Sequence, residues 1–266
     1  SWASLYAEVE TMASVRHQFV LELVGAHITE PYRIITRFCP GKSLFDRLHR
    51  YNKQFPQLTT TRLTVIAYEV AVGMEHLHSM NIVHRDLKTL NILLDEEGDG
   101  YVADFGLSGM MKDNQELCGG VGTPHYTAPE VLSHTRYGPK VDSFSYGVLW
   151  EMLTRKVPYA DMSHMAIYEH VVTRNWRLQL PNDAPEGLKK MISRCWSKNP
   201  NDRPDFTEIV NLFESGEVFF PNSEKIDFQK VKATRRCPPL DLEYALPVLK
   251  DNDNEHFASV SHFIVS

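Results

Sequence analysis

Asp86, Asn91 and Asp104 are three oxygen-bearing side chains within nineteen positions, and Lys88 stands among them. A carboxylate can orient a hydroxyl and accept its proton. A nearby ammonium can offset developing negative charge, and carboxylate and amide oxygens suit a hard cation such as Mg2+. Asp86 and Asn91 share one stretch, His84-Arg85-Asp86-Leu87-Lys88-Thr89-Leu90-Asn91. Ile92–Leu94 and Tyr101–Ala103 read as short strands around the turn Glu96-Glu97-Gly98-Asp99-Gly100. That hairpin folds Asp104 back beside the first stretch, so the three side chains can converge.

The remaining elements must hold this centre. Residues 1–15 read as a helix, with Leu5, Val9, Met12 and Val15 at helical spacing. Residues 20–28 and 32–38 read as two strands of a hairpin, and Pro40-Gly41 marks a boundary after them. A short helix is expected over 43–50. A longer one follows the threonines at 59–61, which can cap its first turn, and runs to about Met80. Leu63, Ile66, Val70, Met74 and Leu77 give it a buried stripe. Glycines at 119, 120 and 122 mark a long loop, and after Pro139 the pattern is mostly helical to about Ser215. The tail, 216–266, has weaker periodicity.

His-Arg-Asp, Asp-Phe-Gly and Ala-Pro-Glu are each bland alone. Here His84-Arg85-Asp86, Asp104-Phe105-Gly106 and Ala128-Pro129-Glu130 occur in one order at family-like spacing. At these points the sequence resembles the eukaryotic protein kinase superfamily over about residues 1–213. The resemblance implies an α+β, two-lobe fold. Residues 1–39 would form an incomplete β-rich small lobe and 40–215 a larger helical lobe, with 216–266 a tail that docks or is partly disordered. It also implies ATP and Mg2+, with phosphoryl transfer resting on positioning and charge neutralisation. Asp86 matches the base that orients the attacking hydroxyl, Lys88 the cation near the transferred group, and Asn91 and Asp104 the metal ligands.

The same resemblance extends to the nucleotide cleft. Thr36 matches the gatekeeper, and the backbone of Arg37 and Cys39 would meet adenine, so that their side chains matter little. Ser43 and Leu93 complete the nucleotide-facing set. Glu8, nine residues before His17, matches the glutamate that pairs with an ATP-contacting lysine. Asp142 resembles the buried aspartate that holds the catalytic loop, and Arg203 the arginine that pairs with Glu130. Met12, Leu23, His84 and Phe105 would stack as a spine between the lobes.

Lys88 and the run Gly122-Thr123-Pro124 resemble serine/threonine kinases, with Thr123 bonding Asp86 and Lys88. Cys195-Trp196 and the hinge look more like tyrosine kinases. The mixture resembles the tyrosine-kinase-like group of serine/threonine kinases, acting on protein hydroxyls. Arg85 precedes the catalytic aspartate, a place where an activation-loop phosphate often binds. Residues 109–122 contain no Ser, Thr or Tyr, so Asp113 or Glu116 supplies the partner charge, or no phosphate switch operates.

The family's Gly-rich loop and strand lysine would precede Glu8, and this sequence has neither. It therefore reads as an N-terminally truncated domain, expected to bind ATP poorly and transfer slowly. The alternatives are a non-catalytic pseudokinase-like binding module and a purely structural helical domain; the latter leaves the first-half motifs unexplained. A net charge of −6 argues against nucleic acid as the main partner. Four widely spaced cysteines (Cys39, Cys118, Cys195 and Cys237) without a signal peptide or membrane span point to a reducing compartment, the cytoplasm.

Overall fold

The computed structural model describes residues 2–27, 33–50, 52–104, 107–111, 116–234 and 257–259. Helix α1 (Trp2–Ser14) leads into the antiparallel pair β1 (Leu23–His27) and β2 (Arg33–Thr36). Val9, Met12, Phe19 and Leu23 bury the inner face of this lobe. Both strands are shorter at their inner ends than the apolar runs predict. Val20 bridges to Val102 and the Leu21 N–H donates to the Val102 carbonyl at 2.8 Å, so the chain there belongs to the junction with the larger lobe.

Beyond the hinge, Ser43 caps α2 (Leu44–His49), its Oγ accepting from the Asp46 N–H at 3.1 Å. Thr59 caps α3 (Thr60–Ser79) by accepting from the Arg62 N–H at 3.1 Å. Helix α3 is the axis of the large lobe. Buried residues surround it rather than forming one stripe, and it packs against a strand on one side and a late helix on another. Strand β3 (Ile82–Val83) follows, then a 3-10 turn at Thr89–Asn91, and the antiparallel pair β4 (Ile92–Leu94) and β5 (Gly100–Val102). Strand β6 (Gly109–Met110) pairs with β3.

The rest is helical: α4 (Pro129–Leu132), α5 (Lys140–Ser145), α6 (Val148–Thr154), α7 (His164–Tyr168) continuing as a π turn at Glu169–Thr173, α8 (Glu186–Cys195) and α9 (Phe206–Glu214). After α9 the chain docks on α3. Val218 and Phe220 are buried, and Thr64 Oγ1 accepts from the Phe220 N–H at 3.0 Å. Helix α10 (Phe228–Thr234) then packs on α9, placing Phe228 against Tyr68 and Phe213. Backbone 257–259 forms β7 (Phe257–Ser259) on the second edge of β1, in the order β2-β1-β7. The weak periodicity of the tail gives no hint of this pairing, because strand addition uses backbone groups rather than a side-chain pattern.

Among the described residues no helix is long and apolar enough to cross a membrane. Cys39, Cys118 and Cys195 are free thiols, and Cys237 lies outside the described residues.

Candidate active site

The site is a loop between β3 and β4, held from below by a buried carboxylate. Asp142, on α5, is inaccessible to solvent. It accepts from the backbone N–H of His84 (2.8 Å) and of Arg85 (2.8 Å), and from His78 Nε2 (2.8 Å). Burial opposes its charge, yet the His78 hydrogen bond, the nearby His78 and His84 rings and the His84 N–H outweigh that and hold it below the usual carboxylate range. His84 is itself a splice: Nε2 bonds the Ala103 carbonyl at 2.9 Å, and Nδ1 accepts from the Asp86 N–H at 3.3 Å.

These contacts fix Asp86. One of its oxygens, Oδ1, accepts from the Thr123 N–H (2.9 Å) and the Thr123 hydroxyl (2.9 Å). The other, Oδ2, accepts from Lys88 Nζ (2.6 Å) and Asn91 Nδ2 (3.2 Å). Lys88 Nζ also donates to Thr123 Oγ1 at 2.8 Å, closing a triangle of Asp86, Lys88 and Thr123. Gly122 permits this approach: it has φ +92°, and a Cβ there would lie 2.6 Å from the Arg85 carbonyl.

Asn91 donates its amide to the Asp86 carbonyl at 2.9 Å, and its own carbonyl accepts from the Ala103 N–H at 2.8 Å. Asp104 is the next residue, exposed and with φ +66°, so it turns out of the β5 strand beside Asn91. Glu8 approaches from α1. Burial raises its pKa, and the negative charge of Asp104 raises it further. Asn91 and Asp104 flank the backbone bond between the Ala103 N–H and the Asn91 carbonyl, which brings one amide and one carboxylate to adjoining chain. Among the described residues no cluster of three or more His, Cys, Asp or Glu side chains could hold a metal ion. The fit to Mg2+ rests on donor chemistry: an amide oxygen from Asn91 and a carboxylate from Asp104 match an ion that takes one or two carboxylates and completes its shell with water and phosphate.

Two of the residues expected at the nucleotide, Ser43 and Leu93, form an isolated antiparallel bridge. Thr36 ends β2, and Cys39 and Leu93 pack beside Leu21, Tyr101 and Ala103. Gly41 lets the hinge rest on β4, since a Cβ there would lie 2.2 Å from the Asp95 carbonyl. Burial pushes the Cys39 thiol up to about 11. The hydroxyl of Ser43 donates to Asp46 Oδ2 at 2.7 Å, besides capping α2. Phe105 lies outside the described residues, while Met12, Leu23 and His84 of the expected spine are buried.

Arg37 adds a structural contact through its side chain, separate from the backbone role expected of it at adenine. It donates to the Tyr101 hydroxyl at 3.2 Å and lies over the Tyr101 ring, and that hydroxyl donates to Asp95 Oδ2 at 3.0 Å. The relay ties the hinge to the β4–β5 hairpin. Tyr101→Phe should lower the denaturant midpoint at unchanged slope, by about 1 kcal/mol of unfolding free energy. An unchanged midpoint would show that the relay carries no stability.

A second network has no sequence signature. Glu151, on α6, is buried completely and accepts from Thr89 Oγ1 (3.0 Å), Tyr126 OH (2.8 Å) and His49 Nε2 (2.7 Å). Burial raises Glu151 above the usual carboxylate range despite these donors. It links α2, the catalytic loop and the segment after Thr123. Its partners are up to 102 residues away in sequence, beyond the reach of any local pattern. Arg203 and Glu130 do meet as expected, in a two-pronged pair at 2.6 and 2.9 Å with Arg203 inaccessible.

A family model described as "Protein tyrosine and serine/threonine kinase" matches residues 1–213. The chain is 39% identical over 209 residues to the serine/threonine-protein kinase STY46 of Arabidopsis thaliana, covering 78% of this chain and 36% of that protein. It is 36% identical to the serine/threonine/tyrosine-protein kinase HT1 of the same plant, covering 78% of this chain and 53% of that one. It is also 36% identical to the dual specificity protein kinase pyk3 of Dictyostelium discoideum, covering 78% of this chain and 15% of that one. Over the matched stretch the chain thus spans from about a seventh to about half of these relatives.

Proposed function

The chain belongs to the protein tyrosine and serine/threonine kinase family, and we propose that it transfers the γ-phosphoryl group of ATP to serine and threonine hydroxyls of proteins. One observation carries this reading: the Asp86 carboxylate is gripped on one oxygen by Thr123 and on the other by Lys88 and Asn91. The Thr123 bonds fix the orientation of the carboxylate. Lys88 and Asn91 are the partners that can turn away, toward phosphate and cation respectively, and their departure frees Oδ2. An acceptor hydroxyl then donates to Oδ2, which takes its proton as the hydroxyl oxygen bonds to phosphorus and the ADP oxygen leaves. The Lys88 ammonium offsets charge on the transferring group. Bound Mg2+, held by Asn91 and Asp104, would neutralise the phosphates.

Thr36, Arg37, Cys39, Ser43 and Leu93 form the nucleotide wall in this reading, and Glu8 faces the phosphate end from α1. Residues 1–39 and 40–215 are the two lobes, and 216–266 is a tail whose first part braces α3. Free thiols at Cys39, Cys118 and Cys195 support the cytoplasm as its compartment.

The test is phosphoamino-acid analysis of protein and peptide acceptors labelled with γ-labelled ATP and Mg2+ by the full-length protein. Label on serine and threonine is expected. Label on tyrosine alone would sink the acceptor assignment. Nucleotide binding with no label on any acceptor would favour a pseudokinase-like binding module.

A further inference from the structure

We propose that Tyr137 is a positioning residue for the Asp86 centre, and that with Arg85 it holds the segment leading to Thr123 in register without a phosphate. The inference rests on the reading of Asp86 as a phosphoryl-transfer centre. Arg85 has φ +67°, a conformation that a non-glycine residue keeps only where its surroundings hold it. Its backbone is fixed by Asp142. Its guanidinium donates from Nε to the Leu107 carbonyl, from one terminal nitrogen to the Ser108 carbonyl at 2.9 Å, and from the other to the Tyr137 hydroxyl at 3.3 Å. The cation is therefore closed by neutral acceptors. A side chain on Gly109 would lie 3.1 Å from its central carbon, so the guanidinium also packs flat on the β6 backbone.

Tyr137 grips the same segment from its other side. Its N–H and carbonyl exchange hydrogen bonds with Leu117, both at 2.9 Å, and its ring is buried. One residue thus touches the beginning of the segment through Arg85 and its later part through Leu117. Between those points Met111 N–H donates to the Asn81 carbonyl at 2.9 Å, and β6 pairs with β3. The last anchor is Thr123 on Asp86. Glu116, expected as a charged partner, is exposed, and the described partners of Arg85 are carbonyls and a hydroxyl. Residues 109–122 offer no hydroxyl for a phosphate. Asp113 lies outside the described residues.

The experiment compares the full-length wild type with Tyr137→Phe, Arg85→Lys and the double variant, before and after phosphatase treatment. Single-turnover transfer is measured together with hydrogen exchange over 107–111 and 116–123. For Tyr137→Phe, the transfer rate should fall about fivefold at unchanged KM for ATP, with faster exchange confined to these residues. The double variant should lose less than the product of the single losses, because both substitutions break the same contact. Phosphatase should leave the wild type unchanged in both readouts. The proposal is overturned if Tyr137→Phe matches the wild type, or if its loss is a uniform drop in melting temperature and protection. Independent, multiplicative losses in the double variant also overturn it, as does a phosphatase-sensitive wild type. Absence of transfer in every sample would refute the transfer reading, while the exchange comparison still decides whether the clamp exists.

Discussion

Asp86→Asn should lower the rate of phosphoryl transfer by roughly 10^2–10^4-fold, the range a positioned proton acceptor contributes, and change nucleotide affinity by no more than about twofold. The side chain keeps its shape but loses its basicity. It also meets four donors in the unliganded site: the Thr123 N–H and hydroxyl, Lys88 Nζ and Asn91 Nδ2. An amide sets its NH2 against one pair of them, so Thr123 or Lys88 must shift as well. The residues proposed to face the nucleotide, Thr36, Arg37, Cys39 and Leu93, are not among the hydrogen-bond partners of this carboxylate, which among the described residues are Thr123, Lys88 and Asn91. Single-turnover kinetics and nucleotide titration of the same protein separate the two quantities. Equal loss of binding and transfer would assign Asp86 to nucleotide binding rather than to the hydroxyl.

The spacing of Asp86, Lys88, Asn91 and Asp104 made the centre legible because all four sit on one loop and the hairpin after it. Local hairpin geometry converts that spacing directly into proximity. The contact of Thr123 with Asp86 was legible only through the resemblance, since 37 residues separate them. Glycine tolerance explains why it works: Gly122 allows the backbone to lie against the Arg85 carbonyl. The stripe of α3 showed a helix but not that polar Thr64 and Glu69 would also be buried, because the tail and the β4–β5 turn cover its outer side. Burial pushes Glu69 up to about 8, and its carboxyl caps the Gly100 N–H at 2.7 Å. Periodicity sees one helix at a time, whereas a central helix is covered by elements far away in sequence. The Arg37–Tyr101–Asp95 relay and the Glu151 network escaped notice for the same reason. Their members have ordinary types at ordinary positions, and only the packed structure brings them within hydrogen-bonding distance.

The same logic makes Asp142 the most consequential residue outside the reacting set. Asp142→Asn should cost about 3 kcal/mol of stability, because three inward-pointing donors would face an uncharged group that can accept from them on one atom only. For a chain of this size that corresponds to a drop in melting temperature of about 6–12 °C. The loss should depend on pH with a definite sign. The folded-state pKa of Asp142 is held below its unfolded value, so its stabilising contribution is fully present above the unfolded carboxylate pKa, about 3.9. It is lost as pH falls through the folded value. The stability gap between wild type and variant should therefore stay level from pH 7 to about pH 5 and close below about pH 4. Denaturant unfolding across that range measures it, and a gap that persisted unchanged to pH 3 would mean that the charge is not what the donors require. Function should follow stability here. Asp142 holds the two N–H groups immediately before Asp86, including that of Arg85 in its left-handed conformation. When those bonds weaken, Arg85 can relax toward an ordinary conformation and Asp86 rotates with it. Transfer should then decline at temperatures where the variant is still folded, with exchange rising first at His84 and Arg85.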